Sequence, residues 1–113
     1  MKRAIPAFLV MCACAGLAGA EELPLGDESV DRAFLVTVLP EIADQRRALD
    51  ELNLVLKPGG VLSITESFLD PDYQFPFETV QLVEDVGFSR EAFMGNFWLY
   101  TINFYKSEGI AYD

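Results

Sequence analysis

The residues with the most chemical potential lie between Glu66 and Phe77: a carboxylate at Glu66, a phenol at Tyr73, and rings at Phe68, Phe75 and Phe77. The chain has no histidine, which removes the commonest general base and the commonest zinc ligand. A carboxylate closing a strand, followed by an aromatic loop, suits the lip of a small-molecule pocket. Such pockets are mostly apolar with a few placed polar groups. Glu66 and Tyr73 are then the candidates for a catalytic base. A plainer alternative makes Glu66 a solvated strand end and the rings a satellite core, and the sequence leaves both open. Cys12 and Cys14 stand one residue apart in an apolar stretch. That spacing is no disulfide framework and, alone, no metal site.

Composition narrows the class. A length of 113 residues suits one small domain, and 51% hydrophobic residues exclude a disordered chain. The net charge of −10 argues against a nucleic-acid surface, because phosphate binding relies on Lys and Arg. Residues 1–20 stand apart. Lys2 and Arg3 precede an uncharged, Ala-rich apolar run that ends in Ala18-Gly19-Ala20 before Glu21. Positive start, apolar middle and small-x-small end are the parts of a secretory signal. The run is too short and too weakly apolar for a stable membrane span.

The elements that must position the candidate residues follow from pattern. Asp44 is a plausible N-cap for a helix reaching Leu56. Ala48, Leu49, Leu52, Val55 and Leu56 form one apolar stripe along it. Lys57-Pro58-Gly59-Gly60 reads as a sharp stop before a buried strand, Val61 to Thr65. An earlier apolar run, Val30 to Leu39, fits a central parallel strand. Strand, helix and strand make one βαβ crossover. Pro76 suits the first turn of a second helix, with Thr79, Val80, Val83 and Val86 on its apolar face and Gly87 at its close. A turn at Gly95-Asn96 leads into a strand, Phe97 to Tyr105, with Trp98, Tyr100, Ile102 and Phe104 on one face.

Leu23-Pro24-Leu25, Asp27-Glu28-Ser29-Val30-Asp31 and Val55-Leu56-Lys57-Pro58-Gly59-Gly60, in this order and spacing, resemble the C-terminal half of a class I S-adenosylmethionine-dependent methyltransferase. The closest type is the small-molecule branch called type 11. The resemblance runs from about Ala20 to Lys106, and Val86-Gly87-Phe88 matches the family's close of the second helix. It implies an α/β fold: a partial Rossmann-like sheet of two parallel strands with a crossover helix, then a helix and a C-terminal antiparallel strand pair. It implies S-adenosylmethionine as cofactor and a small-molecule methyl acceptor. Ala20 and Glu21 would offer backbone groups to the adenine. Gly19 stands where the family has an Asp facing the adenine amino group. Leu35, Val36 and Thr37 would run past the methionine part of the cofactor, although Leu35 and Val36 read more simply as core.

The expected organisation is a signal-like or truncated lead-in at 1–20, a methyltransferase half at 21–106, and a tail at 107–113. No Gly-x-Gly loop occurs in the chain, so a fragment is expected, with the loop encoded upstream. Without that loop, cofactor affinity should be no better than about millimolar. The strand at Val30–Leu39 should also present an open edge, through which the chain self-associates or meets a partner chain. The cofactor's intracellular supply favours the cytoplasm, with export through 1–20 as the alternative. Two other functions compete: an exported acidic domain without catalysis, and a methyltransferase-like remnant acting as an interaction module.

Overall fold

Asp44 does cap a helix: its carboxylate accepts a hydrogen bond from the Arg47 backbone N–H at 3.1 Å, satisfying one orphan donor. The computed structural model describes residues 25–37, 39–69 and 73–106, together with the backbone of a strand at Phe8–Cys12. In chain order the elements are β1 (Phe8–Cys12), β2 (Val30–Val36), a 3-10 turn (Leu39–Glu41), α1 (Gln45–Val55) and β3 (Leu56–Ser67). After these come α2 (Pro76–Val86), β4 (Phe88–Gly95) and β5 (Leu99–Lys106). The tail at 107–113 lies outside the described residues.

The strands form one five-stranded sheet in the order β1-β2-β3-β5-β4. β1, β2 and β3 run parallel, and β5 inserts antiparallel between β3 and β4. This is the α/β arrangement expected, with one addition. Phe8–Cys12, inside the segment read as a leader or lead-in, pairs along β2 from Phe8↔Arg32 to Cys12↔Val36. A short apolar run satisfies a leader's apolar centre and a parallel strand equally well, and periodicity does not separate them. The open edge expected on β2 is therefore occupied.

Lys57-Pro58-Gly59-Gly60 also differs from expectation. The chain runs as strand from Leu56 onward, interrupted by Gly59 at φ +79°, and the four residues form a wide irregularity within β3 rather than a turn before it. While β2 advances from Val30 to Arg32, the partner register jumps from Leu56 to Val61. Pro58 is tolerated there because a bulge demands no ladder donor. Gly60 is required by close approach: a Cβ would lie 2.8 Å from the Lys57 carbonyl oxygen and 3.1 Å from that of Asp31.

Both helices cover one face of the sheet. Ala48, Leu49, Leu52 and Val55 of α1 and Val83 of α2 pack with Ala33, Leu35, Leu62, Ile64, Ile102 and Phe104, all buried. Each such large side chain contributes about 1.5–3 kcal/mol by leaving water. Arg46 and Asn53 of α1 donate to the carbonyls of Asp85 and Val86, satisfying the last turn of α2. On the other face Ser63 pairs with Asn103 at 2.5 Å and Thr65 with Thr101 at 2.8 Å. Among the described residues, no helix is long and apolar enough to cross a membrane.

Candidate functional site

Parallel strands put their carboxyl ends on one side, and in open α/β sheets that is where ligands sit. Here Cys12 lies beside Val36, Val36 beside Thr65, and Ser67 opposite Leu99 at the start of β5. Thr37 leaves β2 with φ at +53°, a left-handed conformation that is an outlier for a β-branched residue. Its N–H donates to the Thr65 carbonyl at 2.8 Å and its hydroxyl to the Val36 carbonyl at 2.7 Å. Strain of this sort costs about 1–3 kcal/mol and clusters at binding sites. Leu35 is core, as the simpler reading had it. Val36 is not: it is 39% exposed, on the face away from the helices.

One strand further, Glu66 is completely buried (0% exposed), so it is no solvated strand end. It faces Tyr100 across the β3–β5 ladder. Two residues on, the Phe68 N–H donates to the Trp98 carbonyl at 2.6 Å and continues that ladder. Phe68 and Trp98 meet edge to face with centroids 4.8 Å apart. Tyr73 lies 6.1 Å from Phe68 and 5.4 Å from Phe75, and Phe75 stacks on Phe97 at 5.2 Å. The rings expected at a lip do form one wall, and the tip of the β4–β5 hairpin completes it with Phe97 and Trp98.

Hydroxyls fix this wall. Tyr73 donates to the Phe97 carbonyl, tying the loop after β3 to the hairpin tip. Tyr100 donates to the Gln74 carbonyl at 2.6 Å and shares a 2.8 Å hydrogen bond with Thr79. Burial first, then the negative charge of Glu66, push the Tyr73 phenol above its usual 10. Burial pushes Tyr100 up as well; Thr79 opposes the shift, and Glu66 adds to it to a smaller degree. A phenol that stays protonated and donates to a carbonyl is a latch rather than a base.

Gln74 joins the wall to the β2 side. Its amide nitrogen donates to Gln45 at 3.4 Å, and Gln45 donates to the Leu39 carbonyl at 2.9 Å. Ala20 and Glu21 lie outside the described residues. The sequence reading missed Gln74, Phe97 and Trp98. The turn at Gly95-Asn96 was the available signal for Phe97 and Trp98, because it folds the hairpin tip back towards the strand ends. Two surface depressions lie elsewhere. One of about 580 Å³ separates α2 from β4, lined by Phe77, Val80, Arg90 and Phe93 among others. One of about 360 Å³ lies over Lys57–Val61. Phe77 thus faces a groove behind the wall and stacks on Phe75 at 6.0 Å.

Residues 10–64 match the family model of a methyltransferase domain. An O-methyltransferase of Aspergillus nomiae is 42% identical over 53 residues, which is 47% of this chain and 24% of that protein. A demethylmenaquinone methyltransferase of Clavibacter sepedonicus is 41% identical over 54 residues, 48% of this chain and 22% of that protein. Among solved structures, a SAM-dependent methyltransferase of Thermotoga maritima, titled a possible histamine N-methyltransferase, superposes with a TM-score of 0.65. It is 27% identical and covers 78% of this chain and 61% of its own. The [4+2]-cyclase SpnF, 16% identical with a TM-score of 0.69, shares the fold. The chain thus spans less than two thirds of that Thermotoga structure and about a quarter of the curated relatives. In fold, in motif order and in the sequence of residues 10–64 it resembles the class I S-adenosylmethionine-dependent methyltransferases.

Proposed function

We propose that this chain takes part in S-adenosylmethionine-dependent methyl transfer to a small molecule, with the cofactor's methionine end at Val36–Thr37 and the acceptor against the ring wall. One observation carries the reading: the carboxyl ends of β2 and β3 place a strained threonine, Thr37, one strand away from a buried carboxylate, Glu66. Gln74 Oε1 supports it. This acceptor is buried with no hydrogen-bond partner among the described residues, which suits a ligand bearing an amino group. When bound, the cofactor supplies a methyl group activated by the sulfonium. The chain's own residues orient the acceptor on the rings, exclude water and take up the acceptor's proton at the Glu66 carboxylate. Positioning of this kind accounts for most of what a methyl transfer needs from protein. Since the cofactor is intracellular, the reading places the chain in the cytoplasm.

Titration calorimetry on the full chain tests it. With no Gly-x-Gly loop in the sequence, the expected dissociation constant is about 1 mM. Thr37→Gly should raise stability by about 1 kcal/mol by relieving the left-handed threonine, while Gln74→Leu should weaken cofactor binding several-fold. The absence of saturable binding at ~10 mM cofactor would overturn the proposal.

A further inference from the structure

Between Lys57 and Lys106 the chain holds seven acids, Glu66, Asp70, Asp72, Glu78, Glu84, Asp85 and Glu91, against one base, Arg90. Lys57 and Lys106 sit at the far ends of β3 and β5 from the ring wall; Lys57 meets Asp31, and Lys106 donates to the Leu56 carbonyl. Arg90 lies opposite Phe104 and lines the groove beside α2. The wall is aromatic at its surface, with the buried carboxylate of Glu66 close behind it, near enough to act on the Tyr73 phenol. Phe68 and Trp98 are 54% and 55% exposed, while Glu66, two residues before Phe68, lies fully buried.

That layering favours one class of ligand. An aromatic face carries partial negative charge and attracts cations. A carboxylate in a low-dielectric interior behind such rings strengthens the attraction, since the field is poorly screened there. A phenolate would be repelled, and a neutral alcohol would gain only from contact with the rings.

We propose that Phe68, Tyr73, Phe75, Phe97 and Trp98, with Glu66 behind them, form a binding site for a small aryl-alkyl ammonium ion. Its role as methyl acceptor, which requires the ammonium to give a proton to Glu66 and so free the nitrogen lone pair, rests on the methyltransferase reading; its binding does not. This part of the chain lies beyond residues 10–64, the stretch that matches the methyltransferase domain model. Acceptor preference is thus a property of residues outside the matched stretch.

Trp98 is the sole tryptophan, so its fluorescence reports on the wall directly. The full chain is titrated with 2-phenylethylamine and, as a neutral match, 2-phenylethanol. The amine is expected to bind about tenfold more tightly at low salt, with the advantage shrinking as salt screens it. Glu66→Gln should reduce the amine's advantage several-fold and leave the alcohol unchanged, and Phe68→Ala should weaken both. Equal affinities in the unmodified chain would overturn the proposal without recourse to any variant, as would an undiminished preference in a folded Glu66→Gln chain. S-adenosylmethionine is added to the amine complex as a further arm. Displacement of the amine would mean that the site serves a sulfonium, which overturns the acceptor assignment. Failure of the cofactor to bind at all would sink the methyltransferase reading and leave the amine result standing.

Discussion

Tyr100 ties the site to the core, because its ring is buried among the sheet residues while its hydroxyl bridges Thr79 and Gln74. An unfolded tyrosine ionises near 10, and the folded one is held neutral beyond that. Its contribution to stability is therefore full below pH 10 and drains as pH rises above it. Tyr100→Phe is expected to lose about 1–3 kcal/mol at neutral pH, since Thr79 and the Gln74 carbonyl lose a buried partner. Its melting temperature should nevertheless fall less than the parent's between about pH 9 and 11. Thermal melts paired with tyrosinate absorbance check both halves. At this scale the sequence was legible where residue type carries the signal: the rings of the loop after Glu66 were singled out from sequence, and they do gather into one wall. Tyr73's use as a latch was not, because the hydroxyl's acceptor is a backbone carbonyl 24 positions away. Nor was the conformation of Thr37, which a β-branched side chain disfavours and only the surrounding sheet imposes.

Elements read well wherever a local signal stood alone. The cap at Asp44, the stripe Ala48-Leu49-Leu52-Val55, and Pro76 as the first residue of α2 all fall where their patterns place them. Two signals each had two solutions. Lys57-Pro58-Gly59-Gly60 could end a helix or bulge a strand, and pairing with β2 chose the bulge. Phe8–Cys12 could be a leader's apolar centre or a strand. The β4–β5 hairpin gives the sharpest test. Gly95 has φ of +104°, and a Cβ there would lie 2.3 Å from the Leu99 carbonyl oxygen. Asn96 holds the turn by accepting from the N–H groups of Trp98 and Leu99. Gly95→Ala should cost more than about 2 kcal/mol and shift Trp98 emission, because the hairpin tip carries Phe97 and Trp98 of the ring wall. Unchanged denaturant midpoint and emission would show that the turn tolerates the clash.

For the whole molecule, the described sheet has its edges at β1 and β4, with β2 second from one side. Removing residues 1–20 would expose the β2 edge, from Val30 to Val36, and its unpaired donors and acceptors. A 21–113 chain is expected to sediment as oligomers at concentrations where the full chain stays smaller; equal sedimentation would show that β1 contributes nothing to the edge. Fused to a reporter active only after export, residues 1–20 should give weak signal; efficient export with cleavage after Ala20 would favour the leader. Pairing of Phe8–Cys12 with β2 and threading of the same five residues through an export channel exclude one another. If residues 1–20 can also serve as a leader, the two outcomes race, and the pairing of Phe8–Cys12 with β2 sets how long those five residues stay available to another receptor.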